Sequence, residues 1–237
     1  MQKCVLGVLA SGRGTGFQSI VDHIRLGVLR NVKVGVLICN NQDAYVLKRA
    51  EQCGVDSCFL DHRGRGREEY DRDLVKQLDG YGVDLVALAG WMRVLTPQFV
   101  NHFRWRCVNI HPSLLPSFPG LNAQRQAVEY GVKVSGCTVH YLDVGVDVGP
   151  IILQHAVPLL EGDDEKKVSE RILVYEHRIY PKAIQLHVDG RIKIEGRVVK
   201  IDYSGGWGKS WDERQKTYVE FQMKQLRREG VTLEGVV

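Results

Sequence analysis

Cys4-Val-Leu-Gly-Val-Leu-Ala-Ser-Gly-Arg-Gly-Thr-Gly-Phe-Gln-Ser-Ile-Val-Asp-His-Ile24 decides the fold. Its opening, Cys4 to Ala10, is an unbroken apolar run, the mark of a strand covered on both faces. Three glycines follow within Ser11-Gly-Arg-Gly-Thr-Gly16. Apolar residues then recur at 17, 20, 21 and 24, which is one face of a helix. Strand, glycine loop and helix in that order open a β-α-β domain with parallel strands.

Outward from this unit the alternation repeats. Val32 to Cys39 reads as a strand, and Ala44 to Cys53 as a helix closed by Gly54. Ser57 to Leu60 is a short strand, Glu68 to Leu78 a helix closed by Gly80, and Val83 to Leu88 and Cys107 to Ile110 two more strands. The expected fold class is α/β: a doubly wound, mostly parallel, Rossmann-like sheet with helices on both faces. After Ala127 the pattern changes. Val134 to Leu142 alternates and Ile151 to Leu159 follows, predicting a longer, more twisted strand pair. Asp163 to Val188 predicts a long helix bent near Pro181, because proline brings no amide donor. Arg191 to Ile194 and Val198 to Ile201 close the domain. Residues 1–203 are read as that one domain. Residues 204–237 are read as a C-terminal helical extension: Asp202 to Trp211, rich in glycine and serine, is a linker, and Asp212 to Glu229 a charged amphipathic helix with Tyr218, Phe221 and Leu226 on one side.

Composition narrows the function classes. A net charge of +4 over 237 residues suits an anionic ligand, but is too small and too evenly spread for a nucleic-acid reader. No apolar run is long enough to span a bilayer, and nothing at the N-terminus resembles a secretory leader, so the expected setting is the cytoplasm. The six cysteines form no C-x-x-C pair, and no metal site is expected. Arg63-Gly-Arg-Gly-Arg67 reads as a flexible basic loop rather than an RNA contact, since no aromatics interleave to stack bases.

The glycine loop reads as an anion site. Glycines let the backbone approach an anion, and a helix start supplies unpaired amides at the positive dipole end. A dinucleotide fits poorly. The third glycine of G-x-G-x-x-G falls at Phe17, and the second strand ends in Cys39-Asn-Asn41 without an acidic residue for a ribose. No Gly-Lys-Ser/Thr marks a nucleotide P-loop. A monophosphate ester is the expected ligand.

Val108-Asn-Ile-His-Pro112 carries the chemistry. Residues two apart on a strand share a face, so Asn109 and His111 project together at a strand's C-terminal end, where open α/β sheets bind ligands. An amide beside an imidazole can stabilise an oxyanion and move a proton. A carboxylate to pair with His111 is available in Leu142-Asp-Val-Gly-Val-Asp-Val-Gly-Pro150, and the residues themselves leave Asp143 and Asp147 open.

Asn109-Ile-His-Pro-Ser-Leu-Leu-Pro116, with Phe118-Pro-Gly-Leu121 and Arg125-Gln-Ala127, resembles the phosphoribosylglycinamide formyltransferase family of folate-dependent enzymes. Leu88-Ala-Gly-Trp-Met-Arg-Val-Leu95, Gly136-Cys-Thr-Val-His140, Asp147-Val-Gly-Pro-Ile-Ile-Leu-Gln154 and Glu176-His-Arg-Ile-Tyr-Pro181 extend the likeness, which runs from about Lys3 to Ile201. The resemblance implies the formyltransferase fold and transfer of the formyl group of 10-formyltetrahydrofolate to the amine of glycinamide ribonucleotide, in de novo purine biosynthesis. It implies Asn109, His111 and Asp147 as the catalytic group. It implies Gly14, Thr15, Gly16 and Phe17 at the acceptor's phosphate and Glu176 at its sugar. The folate would lie against Met92, Arg93, Val94, Leu95, Asn109 and Asp143, its glutamate tail near Arg67. One departure stands out: the family usually has Asn where this chain has Gly16. Small-molecule substrates are the implied partners, with no nucleic acid and no membrane, in a monomer or homodimer. Other users of formyltetrahydrofolate, a hydrolase or another formyltransferase, and a non-catalytic phosphate-binding protein are the alternatives.

Overall fold

The computed structural model describes residues 3–230. In chain order they form β1 (Cys4–Ala10), α1 (Thr15–Arg25), β2 (Val32–Cys39), α2 (Tyr45–Gln52), β3 (Ser57–Phe59), α3 (Arg67–Gly80), β4 (Leu85–Leu88), α4 (Pro97–His102), β5 (Cys107–His111), α5 (Ala123–Tyr130), β6 (Val134–Tyr141), β7 (Ile151–Pro158), α6 (Glu165–Val188), β8 (Ile192–Glu195), β9 (Val198–Ile201) and α7 (Trp207–Arg228). One seven-stranded sheet has the order β3-β2-β1-β4-β5-β6-β7. The pairs β1/β2, β2/β3, β1/β4 and β4/β5 are parallel. The expected doubly wound, mostly parallel α/β sheet with a C-terminal helix is therefore the observed fold.

Packing divides the chain into two units. The first comprises Met1–Val21, Asn31–Asn109 and His140–Pro150. Its centre is β1, whose residues from Val5 onward are all buried, as a strand flanked by two parallel partners must be. Leu9, Val36, Ile38 and Val86 from the strands meet Tyr70, Leu74 and Leu78 of α3, Phe99 of α4 and Phe103 just after it. Helix α3 runs through Gly80 rather than stopping there. Gly82, with φ 63°, makes the left-handed turn that ends it, and Val83 N–H then donates to the Leu78 carbonyl.

The second unit comprises Asp22–Arg30, Ile110–Val139 and Ile151–Val237. Its long helix α6 accommodates Pro181 within its span. Strands β8 and β9 form a separate antiparallel hairpin. The tail departs from expectation. Helix α7 starts at Trp207, not at Asp212, and the linker shrinks to a short turn around Ser204–Gly206. Trp207 and Trp211, one helical turn apart, stack at 5.8 Å and are buried with Tyr218 against Val28 and Leu186. Trp207 Nε1 also donates to Asp189 at 2.6 Å. Burying two indoles outweighs the poor helix propensity of Gly208 and Ser210. The tail thus docks on the second unit's own core, where Arg214 donates to the Val28 carbonyl and Tyr218 stacks on His23. Residues 231–237 of the predicted tail lie outside the described residues.

Candidate functional site

The glycine loop becomes an amide cradle for a simple reason. Helix α1 begins at Thr15, and its first ladder bond runs from Gln18 N–H to the Gly14 carbonyl. The amides of Gly14, Thr15, Gly16 and Phe17 precede that bond, so none has an acceptor inside the helix. Phe17 turns its ring fully into the core. Gly14 sits at φ 74°, and a Cβ there would meet Val46 Cγ2 at 2.3 Å. Gly16 differs: a Cβ would meet only Ala89 Cβ, at 3.4 Å. Gly14→Ala is therefore expected to cost roughly 1–3 kcal/mol of stability through strain at a left-handed position. Gly16→Ala should stay within about 1 kcal/mol of the wild type, since alanine is also the better helix former. Urea denaturation of both variants checks this; equal losses would refute the different tasks given to the two glycines.

Ser11 ties this cradle to the predicted folate segment, its Oγ accepting from Met92 N–H at 3.0 Å. Along 92–95, Met92 and Val94 are exposed at 65% and 54%, more than apolar side chains of an idle loop need be. Between them Arg93 lays its guanidinium 4.6 Å from the Tyr70 ring centroid. Leu95 packs on the first unit's core, and the Thr96 amide donates to Asp71 at 2.6 Å, which anchors the segment. The 143–148 loop likewise exposes Val144 and Val146. Asp143 accepts from the neighbouring Val144 amide, so it shapes its own loop.

At the end of β5 in the first unit, Asn109 Nδ2 lies 3.2 Å from His140 Nε2 and 3.4 Å from Asp147 Oδ1. His140 Nδ1 lies 2.9 Å from the Tyr141 carbonyl, so Nδ1 carries the proton and Nε2 accepts from Asn109. The Asp147 carboxylate stands 3.6 Å from the same Nε2. Both amide hydrogens of Asn109 are thus directed, one at each neighbour. The 3.4 Å bond is long, and its hydrogen is the one most easily turned to another acceptor. Asp147 adopts φ 54°, a left-handed conformation uncommon outside glycine and the kind of backbone strain that collects at functional sites. Of the two aspartates that sequence left open as the partner of His111, Asp147 is the one whose carboxylate lies beside Asn109 and His140. His140, which sequence reading did not single out, joins this cluster. Its signal was present: a histidine near the end of a buried strand, as with Asn-x-His on β5.

In the second unit, His111 is 4% exposed and its Nε2 donates to the Phe118 carbonyl at 2.8 Å. Facing a carbonyl, Nε2 is the ring nitrogen that carries a hydrogen. Glu176, on α6, is part-buried, and burial pushes its carboxyl up to about 7. Back in the first unit, Arg67 is exposed at the start of α3. Its neighbours in the basic loop are neutralised locally, Arg63 by Asp61 and Arg65 by Glu69 and Asp73, which leaves little charge for a nucleic acid.

Comparison with known proteins extends this geometry. The formyl transferase family matches residues 5–184. Phosphoribosylglycinamide formyltransferase of Escherichia coli (strain K12) is 41% identical over 196 residues, covering 82% of this chain and 92% of that protein. The trifunctional purine biosynthetic protein adenosine-3 of Drosophila melanogaster is 45% identical over 197 residues, and the match spans 81% of this chain but 14% of the fly protein. Among solved structures, glycinamide ribonucleotide transformylase 1 from Symbiobacterium toebii is 52% identical, with a TM-score of 0.82 over 84% of this chain and 94% of that one. Sequence and sheet agree over the same span, and on that agreement the chain belongs to the formyl transferase family.

Proposed function

We propose that the chain transfers the formyl group of 10-formyltetrahydrofolate to the amine of glycinamide ribonucleotide, a step of de novo purine biosynthesis. Residues 1–203 carry the reaction, with 204–237 as an added tail. The observation that carries the reading is the Asn109–His140–Asp147 cluster, set at the end of β5 in a chain whose relatives are named for this activity. The acceptor's amine attacks the formyl carbon, forming a C–N bond and a tetrahedral oxyanion. Protonated His111 and the loosely held Asn109 amide hydrogen stabilise that oxyanion. Asp147 accepts the proton released from the amine, and the tetrahydrofolate nitrogen leaves as the C–N bond to it breaks and takes a proton in turn. No step needs a metal.

The amides of Gly14 to Phe17 take the acceptor's phosphate, as helix starts bind anions. Glu176 takes its sugar. The exposed Met92 and Val94 and the 143–147 loop suit a flat, largely apolar ring with polar edges. Two buried donors beside that segment, Trp91 Nε1 and Arg93 Nε, have no partner among the described residues and fit such a ligand. Asp143 belongs to the same folate subsite, and Arg67 to the glutamate tail. Small-molecule substrates and a cytoplasmic setting go with this reading, in a monomer or homodimer. No helix among the described residues is long and apolar enough to cross a membrane.

The test compares two acceptors. Glycinamide ribonucleotide should saturate the enzyme, with the dephosphorylated riboside requiring at least about a hundredfold more for the same rate, since charge-assisted phosphate bonds contribute about 1.5–3 kcal/mol each. Equal kcat/KM for the two compounds would remove the phosphate cradle from the reading.

A further inference from the structure

The family match ends at residue 184, so helix α7 lies outside it. One α7 side chain nevertheless reaches the turn of α6 that carries Glu176. Gln222, 4% exposed, accepts from Arg178 Nε at 3.0 Å and donates through Nε2 to the Val174 carbonyl at 3.1 Å. A single carboxamide thus grips both ends of the 174–178 turn. Arg178 holds its guanidinium 5.0 Å from the Tyr175 ring centroid, and Tyr175 stacks on His155 of β7 at 3.9 Å. Arg178 is half-buried, and no carboxylate pairs with it among the described residues. The Gln222 oxygen, the Tyr175 face and, more weakly, the Met223 sulfur at 4.0 Å offset its lost hydration.

The turn needs such a grip. Pro181, inside α6, has no amide to donate to the carbonyl of His177, so the helix ladder is interrupted directly after the turn. A helix loosened there lets the preceding turn shift unless something outside holds it.

We propose that Gln222 is a positioning residue for the acceptor site: through its two bonds to α6 the tail fixes the turn that presents Glu176 to the acceptor's sugar. The inference rests on the functional reading above. Gln222 touches neither substrate nor reacting atoms; it acts through the helix backbone.

Gln222→Leu keeps the bulk and removes both bonds. Steady-state kinetics of the full chain should show the KM for glycinamide ribonucleotide rising roughly tenfold, as expected for about 1 kcal/mol or slightly more per lost hydrogen bond transmitted in part. The kcat and the KM for 10-formyltetrahydrofolate should not move. Leu78→Val, in the first unit's core and away from the tail, serves as the comparison for general destabilisation: its acceptor KM should match the wild type. If Gln222→Leu does not fold, Gln222→Asn, one methylene too short to reach both partners, carries the same expectation. An unchanged acceptor KM in the Gln222 variant, or an equal rise in Leu78→Val, overturns the proposal while leaving the functional reading in place. A wild type that does not formylate glycinamide ribonucleotide overturns that reading, and this inference with it.

Discussion

Replacing His111 by alanine is expected to lower the turnover of formyl transfer by about a hundredfold or more, the usual loss when one oxyanion donor is removed. The side chain is buried, and its Nε2 is committed to the Phe118 carbonyl. The alanine variant also removes one of that carbonyl's two donors, Ser113 Oγ at 3.3 Å being the other, a loss of about 1 kcal/mol that a melting curve would record separately from the rate. His111→Asn sharpens the result. Asparagine keeps donor groups but cannot become a cation, so it should recover only part of the lost turnover. Near-normal turnover in His111→Ala would take His111 out of the chemistry.

Trp211→Ala should produce the largest change in stability. The indole is 1% exposed and lies at the centre of the cluster that joins α7 to Val28 and Leu186. Truncating a buried tryptophan typically costs about 3–5 kcal/mol. For a chain of this length that corresponds to a fall in Tm on the order of 10 °C. The kcat of the folded fraction should be largely retained, because α7 supplies no group to the reaction. A Tm within about 1 °C of the wild type would show that the tail is not docked in solution, since 1 kcal/mol is worth about 2–4 °C here. Loss of kcat with a normal melting curve would instead give the tail a part in catalysis.

Where sequence reading succeeded, the physical signal was local. Strands β1, β2, β4 and β5 are parallel and covered on both faces, so they show as apolar runs that need no partner to be recognised. Helix α4 was invisible because it is six residues long, and its marks, the Thr96 cap and Pro97 at its start, are those of any turn. Helix α5 buries only Ala123 and Ala127 and starts from Asn122 in a left-handed conformation, so it carries no apolar stripe. The start of α7 was misplaced because two tryptophans four residues apart were weighed less than the glycines and serines around them. At the candidate site, the position of Asn109 and His111 at the end of β5 was legible from the apolar run that leads to it. Asp143 and Asp147 were not separable by spacing as partners of His111; the folded loop sets Asp147 beside Asn109, while Asp143 bonds its own loop. His140 sits 31 residues from Asn109, and no local pattern joins them.

The strand order has a consequence for the time course of synthesis. Strand β1 lies between β2 and β4, and the Val5 amide donates to the side chain of Asp84, 79 residues further on. Chains emerge from the ribosome at about 5–20 residues per second, so β1 must wait on the order of 4–16 s for that neighbour. During the interval one edge of the nascent sheet, Leu6 to Leu9, is an unpaired row of amides and carbonyls flanked by apolar side chains, the kind of edge on which other chains nucleate aggregates. Strand β5, which carries Asn109, is built on β4 and so comes later still. A newly made chain therefore exposes that edge before its reactive strand exists, at a stage when the crowding around it, and not the contacts of the finished protein, sets what the edge meets.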